Sequence, residues 1–65
     1  MNTHAQIPQG VRVRFSLNSG EKGKGFYKLI SKRNGKYLVE KVLYDNGRFA
    51  SFVWADSIEI YDERN

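Results

Sequence analysis

Basic side chains dominate residues 1–54, and they are the groups through which this chain could bind a ligand by charge. Residues 1–54 hold ten Lys/Arg and three Asp/Glu, a balance of +7, whereas residues 55–65 hold one Arg and four Asp/Glu, a balance of −3. Lys/Arg rows with neighbouring aromatic rings suit a phosphate backbone, because each cation displaces a condensed counterion. We therefore expect a polyanionic partner, or an acidic tail that folds over the basic surface.

The spacing of the cations predicts which of them act together. Arg12 and Arg14 alternate with apolar residues and share one face of a strand, and Lys28 and Lys32 share a face further along. The Gly-rich segment 18–25 adds two lysines on a backbone that can approach a ligand closely. The predicted contacts to DNA or RNA are Arg12, Arg14, Lys22, Lys24, Lys28, Lys32 and the stacking ring of Tyr27. Solvation, or lysines that protect sheet edges from aggregation, explains the same charges equally well.

Segments 36–44 and 48–54 carry apolar residues on both faces, although a half-buried strand hides only one. Exposed apolar surface of this kind marks a docking site for protein or a platform for base stacking. We predict Tyr37, Phe52 and Trp54 as protein contacts. This gives a second hypothesis, a module that docks on a larger protein complex as an accessory factor or inhibitor. Homodimerisation is compatible with both hypotheses, and a β-bulge that turns both faces into the core is the alternative.

Reactive groups are sparse. The chain has no Cys and one His, His4, which lies in the polar N-terminal segment. Glu40 is the one acid inside a strong strand pattern, and we expect it to form a cross-strand ion pair. Segment 18–25 lacks both the P-loop string and a following helix, which argues against a mononucleotide site. We therefore predict a non-enzymatic protein without metal or cofactor.

The elements that must position these residues are short strands. Period-two alternation predicts strands at 11–17 and 58–61, and apolar segments bounded by turn signals predict strands at 26–32, 36–44 and 48–54. A mobile basic loop is expected at 18–25. Asn-Gly at 34–35 and 46–47 predicts tight turns, so strands two to four form an antiparallel meander. Residues 55–57 suit a single 3₁₀ turn in which Asp56 or Ser57 accepts from backbone amides. We divide the chain into an N-terminal arm (1–9), one domain (10–61) and a charged tail (62–65).

This order of strands and loops resembles the SH3-like barrels, among them the KOW and Tudor-type modules. Val11-Arg12-Val13 before a Gly-Lys-Gly segment is similar to the opening of a KOW motif. The resemblance implies an all-β, five-stranded antiparallel barrel that serves as a binding module. The N-terminus has no secretory pattern, and no apolar run reaches the roughly 20 residues that span a bilayer. We therefore expect a cytoplasmic protein without a membrane partner.

Overall fold

The computed structural model describes residues 8–61, which form one antiparallel sheet of five strands. The strands are β1 (Arg12–Ser16), β2 (Lys22–Ile30), β3 (Tyr37–Tyr44), β4 (Phe49–Ala55) and β5 (Ser57–Ile60). Their order across the sheet is β4-β3-β2-β1-β5. The predicted all-β class and the meander of strands two to four are confirmed. Within residues 8–61 there is no helix long and apolar enough to cross a membrane. Most of the predicted arm, including His4, and the predicted tail lie outside the described residues.

Both Asn-Gly sequences form the turns that were predicted. Gly35 and Gly47 adopt φ of 73° and 92°, the left-handed backbone that Gly tolerates best. In each turn the Asn side-chain oxygen accepts from the amide two residues on, at 3.0 Å for Asn34 and Lys36 and at 2.9 Å for Asn46 and Arg48. These local bonds fix the β2–β3 and β3–β4 connections.

The prediction of a mobile basic loop at 18–25 is wrong, because β2 begins at Lys22. The chain reverses within residues 17–21, where the Leu17 amide donates to the Glu21 carbonyl at 2.8 Å and the Gly20 amide to the Leu17 carbonyl at 2.8 Å. Gly23 and Gly25 are strand residues opposite Phe15 and Val13 of β1. The sequence predicts that these glycines interrupt the strand. In the structure they continue it, at positions where a side chain would not fit.

The absence of a side chain at these two glycines allows neighbouring atoms of β1 and β3 to approach β2 closely. A Cβ on Gly23 would lie 2.6 Å from the Leu43 carbonyl oxygen and 2.9 Å from Cζ of Phe15, and one on Gly25 would lie 2.6 Å from Cγ1 of Val39. Phe15 of β1 therefore reaches across β2 and meets Tyr44 of β3 edge to face, with ring centroids 5.6 Å apart. The buried core is Val13, Phe15, Tyr27, Val39, Val42, Tyr44 and Ala55.

The sheet is not closed into a barrel, and the predicted 3₁₀ turn is not formed. β4 and β5 are the two edges of the sheet. A single residue, Asp56, separates them, which is too short for a helical turn. Its carboxylate accepts from the Asn18 amide at 2.7 Å and pairs with Lys36 Nζ at 3.1 Å. Asp56 thus accepts a hydrogen bond from a backbone amide, as predicted, but that amide belongs to the β1–β2 connection.

Candidate nucleic-acid interface

The face of the sheet opposite the core, called here the outer face, carries cations and rings in cross-strand rows. Residues opposite each other in antiparallel register share a face. One row crosses four strands as Phe52, Glu40, Phe26 and Arg12. The Tyr61 amide donates to the Arg12 carbonyl at 2.9 Å, which adds Tyr61 to the end of that row. The neighbouring row is Phe49, Leu43, Lys24, Arg14 and Glu59.

Where the two rows meet β1, three cations surround one ring, and we name Arg12, Arg14, Lys24 and Tyr61 the basic–aromatic cluster. The guanidinium carbons of Arg12 and Arg14 each lie 5.8 Å from the Tyr61 ring centroid, and Lys24 Nζ lies 5.6 Å from it. Arg12 also lies 5.5 Å from the ring centroid of Phe26. Cation–π contacts at exposed sites are worth about 0.5–1 kcal/mol each, so the rings hold like charges close together. The cluster is thereby a local concentration of positive charge on the outer face.

A β-bulge in β3 lies next to the cluster. Between the pairs Lys24–Leu43 and Phe26–Glu40, β2 supplies one residue and β3 supplies two, Lys41 and Val42. Lys41 has φ of 53°, which a non-Gly residue adopts only at a steric cost. Strict alternation would place Lys41 on the core side with Val39, but the bulge makes it exposed. The strained backbone thus delivers a further cation to the outer face.

Concave spaces lie on both sides of Phe26, and Lys41 lines both of them. The smaller, of about 160 Å³, is lined by Arg12, Lys24, Gly25, Phe26 and Lys41. The larger, which we name the Phe26 cleft, has a volume of about 390 Å³. Its lining residues are Gln9, Gly10, Phe26, Tyr27, Lys28, Glu40 and Lys41. The Phe26 cleft therefore adjoins the basic–aromatic cluster, and the two spaces share Phe26 and Lys41.

The structure brings together some of the predicted nucleic-acid contacts and separates others. Arg14 and Lys24 lie opposite each other, and Lys22 lies opposite Ser16 on the same two strands. Lys28 is the extra residue of a second bulge and lines the Phe26 cleft. Lys32 lies in the β2–β3 connection, beyond the last residue of β2. Tyr27 is only 8% exposed and packs in the core against Tyr37, at a centroid distance of 6.4 Å.

Four residues of this surface were not among the predicted contacts. Tyr61 and Phe26 lie in predicted strands, and each is two residues from a charged residue, Glu59 and Lys28 respectively. Alternation places residues two apart on the same face, which was a usable signal that both rings face away from the core. Lys41 gave no such signal, because only the bulge changes its face. Glu40 was expected in an ion pair, but it lies between Phe26 and Phe52, with no ion-pair partner within residues 8–61.

Phe52 and Trp54, the two predicted protein contacts on β4, are exposed. Phe49 of the same strand is exposed as well, and we name Phe49, Phe52 and Trp54 the apolar patch. Their exposed fractions are 78%, 55% and 41%. β4 also turns Ala50, Val53 and Ala55 to the core, which shows that a strand apolar on both sides can serve the core from both sets of positions. Tyr37 is only partly exposed and packs against the core. The apolar residues on both faces of β4 thus have two explanations. Some positions face the core because the strand changes face, and the others remain exposed.

The described residues include no group of three or more His, Cys, Asp or Glu that could hold a metal ion. No known protein family, no curated protein sequence and no solved structure matches this chain. Any functional conclusion therefore depends on the chemistry of the outer face itself.

Proposed function

We propose that this protein is a non-catalytic module that binds nucleic acid through the basic–aromatic cluster. The observation that carries the proposal is the convergence of Arg12, Arg14 and Lys24 on the ring of Tyr61. A phosphate bound beside Arg14 and Lys24 would pair with both cations and release counterions. Phe26 and Tyr61 add rings on which bases can stack, independently of sequence.

Direct titration tests the proposal. Fluorescence anisotropy of labelled single-stranded DNA, duplex DNA and RNA is measured at low salt and repeated as salt rises. We expect binding to at least one of the three, with an affinity that falls steeply with salt. Absence of binding to all three at low salt, or an affinity that does not respond to salt, would remove the proposal.

Two double variants that remove the same charge distinguish the contribution of the cluster to binding from that of the overall net charge. Arg14→Gln with Lys24→Gln removes two cations from the cluster, and Lys32→Gln with Arg33→Gln removes two from the exposed β2–β3 connection. The first double variant should lose most of the affinity, whereas the second should keep most of it. Equal losses would mean that the protein acts through its overall charge and not through this site.

The apolar patch supports a second function, docking on a larger protein. Three exposed rings in one strand exceed what scattered surface residues account for. Trp54→Ala should then abolish capture of a partner that survives nuclease treatment, while the Arg14/Lys24 double variant only slows association. If capture is lost with nuclease and unaffected by Trp54→Ala, the protein hypothesis fails and the nucleic-acid hypothesis gains.

We also infer that the fold is an open variant of the SH3-like architecture. The antiparallel order, the meander of β1 to β4 and the short corner before β5 support that inference. The short β1–β2 connection and the unpaired β4 and β5 edges depart from the expected barrel.

A further inference from the structure

We infer that the Phe26 cleft takes one unpaired base of a single-stranded nucleic acid and prefers a base that carries an exocyclic amino group. The inference rests on the proposed function and names its substrate class. It follows from the residues that line the cleft and from their order relative to the basic–aromatic cluster.

The cleft offers each kind of contact that a nucleotide needs. Phe26 provides an aromatic side, Lys28 and Lys41 provide cations for the flanking phosphates, and Glu40 provides an acceptor. Its volume of about 390 Å³ lies within the roughly 300–1,000 Å³ of ordinary ligand clefts. A base that is paired inside a duplex cannot enter such a cleft without leaving its stack. The site therefore selects single strands.

Glu40 is the residue that gives the cleft a preference among bases. Glu40 is a half-buried residue opposite Phe26 and Phe52. It has no ion-pair partner within the described part of the chain, although Lys28 and Lys41 line the same cleft. An ionised carboxylate only accepts hydrogen bonds, and the cytosine 4-amino group donates to it whereas thymine presents a carbonyl at that position. The arrangement predicts that cytosine is preferred to thymine.

The position of the cleft also explains how a strand would run. Arg12, Phe26 and Glu40 are consecutive members of one cross-strand row, and Tyr61 lies at its end. Phosphates bound at the basic–aromatic cluster would thus be followed along the row by a base at Phe26. The cations supply affinity, and Phe26 with Glu40 supplies the base-dependent part.

The first test uses the unaltered protein, so it does not depend on any variant folding. Binding is compared for an oligo-dC strand, an oligo-dT strand and an abasic strand of the same length, at neutral pH. We expect the abasic strand to bind at least about fivefold more weakly than oligo-dC, the lower end of what base–aromatic stacking contributes. Oligo-dC should also bind more tightly than oligo-dT. Equal affinity for all three strands would overturn the inference while leaving phosphate binding at the cluster intact.

The second test uses two variants and a matched control. Glu40→Gln should erase the preference for oligo-dC over oligo-dT, because the amide both donates and accepts. Phe26→Leu should bring the affinity for oligo-dC close to that for the abasic strand. Phe49→Leu, which alters the most exposed ring of the apolar patch, should change neither. If no strand binds at low salt, the proposed function fails as a whole; if only the base-dependent differences are missing, the cleft alone is wrong.

Discussion

At the scale of single residues, the outer face shows how rings organise cations. Tyr61 gathers Arg12, Arg14 and Lys24 within 5.8 Å of its centroid, and Phe26 takes a second contact from Arg12. Each contact is weak, but together they restrict long side chains that would otherwise sample many rotamers. A surface that is ordered in this way loses less entropy when it binds a polyanion.

The number of cations on this surface predicts the salt dependence of binding. If each of the five cations proposed to contact a phosphate does so, the logarithm of the affinity for a single strand should fall with log salt with a slope of about −3.5. The five are Arg12, Arg14, Lys24, Lys28 and Lys41. Arg14→Gln should make the slope shallower by about 0.7. Lys32→Gln, which removes an equal charge from the β2–β3 connection, should leave the slope unchanged. The same change in both variants would contradict a localised site.

Two substitutions of Lys41 distinguish its effect on the stability of the fold from its effect on binding. At φ of 53° the residue has the left-handed conformation, which disfavours any side chain with a Cβ. Lys41→Gly should therefore be more stable to urea than Lys41→Ala by about 0.5–1 kcal/mol, the left-handed penalty less the greater entropy loss of Gly. Both variants lose the same charge, so both should weaken single-strand binding equally. A Lys41→Ala protein as stable as Lys41→Gly would contradict the backbone argument.

At the scale of elements, β2 is the strand that sets the shape of the sheet. A side chain at either of its two glycines would meet atoms of β1 or β3, most of them backbone atoms, and bulges lie at Lys28 of β2 and Lys41 of β3. Coiling is therefore concentrated where side chains are absent, and the core forms across the strand from Phe15 to Tyr44.

Substitution of the glycines tests this role of β2. Gly23→Ala and Gly25→Ala should each destabilise the fold by about 1–3 kcal/mol or more, because the new methyl group meets backbone atoms that cannot move aside. Lys22→Ala, at an exposed position of the same strand, is the control and should have little effect. Urea unfolding measures the difference. Glycine variants as stable as the control would show that the close approach of β1 and β3 is not needed.

The corner between β4 and β5 predicts a loss of stability in acid. The Asn18 amide and then Lys36 lower the pKa of Asp56 from its ordinary value of 3.8. Because the folded state holds the charged form more strongly, the contribution is present above pH 3.8 and is lost as pH falls through 3.8 towards the lowered value.

Urea unfolding as a function of pH checks this direction. Asp56→Asn should be less stable than the unaltered protein at neutral pH, and the difference should narrow as pH falls below 3.8. Asp45→Asn, at an exposed turn position, should follow the unaltered protein. A gap between Asp56→Asn and the unaltered protein that stays constant with pH would contradict the assignment.

At the scale of the whole molecule, the open sheet leaves two edges of different character. β5 is short and carries Glu59, whereas β4 has seven residues without a charged side chain or Pro. Natural sheets usually protect such an edge with charge, Pro or a covering element. Within residues 8–61 no charged side chain, Pro or covering element protects β4, and the apolar patch lies on it. We therefore expect a second chain to pair through this strand.

The unprotected edge predicts concentration-dependent self-association. Ser51→Lys, at an exposed position in the middle of β4, should suppress it, because an edge lysine opposes strand pairing. Ser57→Lys, on the opposite edge, should leave it unchanged. Sedimentation velocity over a series of concentrations measures both. A protein that stays monomeric at all concentrations would show that β4 is protected in another way.

The sequence by itself determined the strands that depend on local chemistry. Period-two alternation located β1 and β5, and the two Asn-Gly turns fixed the meander, since left-handed Gly and an Asn side-chain bond act within a few residues. It also placed Arg12 and Arg14 on one face, because alternation decides which side chains share a face. Lys24 was assigned to a loop, and only the pairing of β1 with β2 brings it opposite Arg14.

Only the tertiary structure decided what the glycines of β2 do, which face Lys41 and Ala50 take, and that the sheet stays open. A Gly that is needed because Phe15, Leu43 or Val39 lies too close cannot be distinguished, in sequence, from a Gly that ends a strand. A bulge changes the face of every residue beyond it, and its position depends on the partner strand. The Phe26 cleft and the contacts around Tyr61 arise from that register, so pairing between distant segments, and not local preference, places the candidate site.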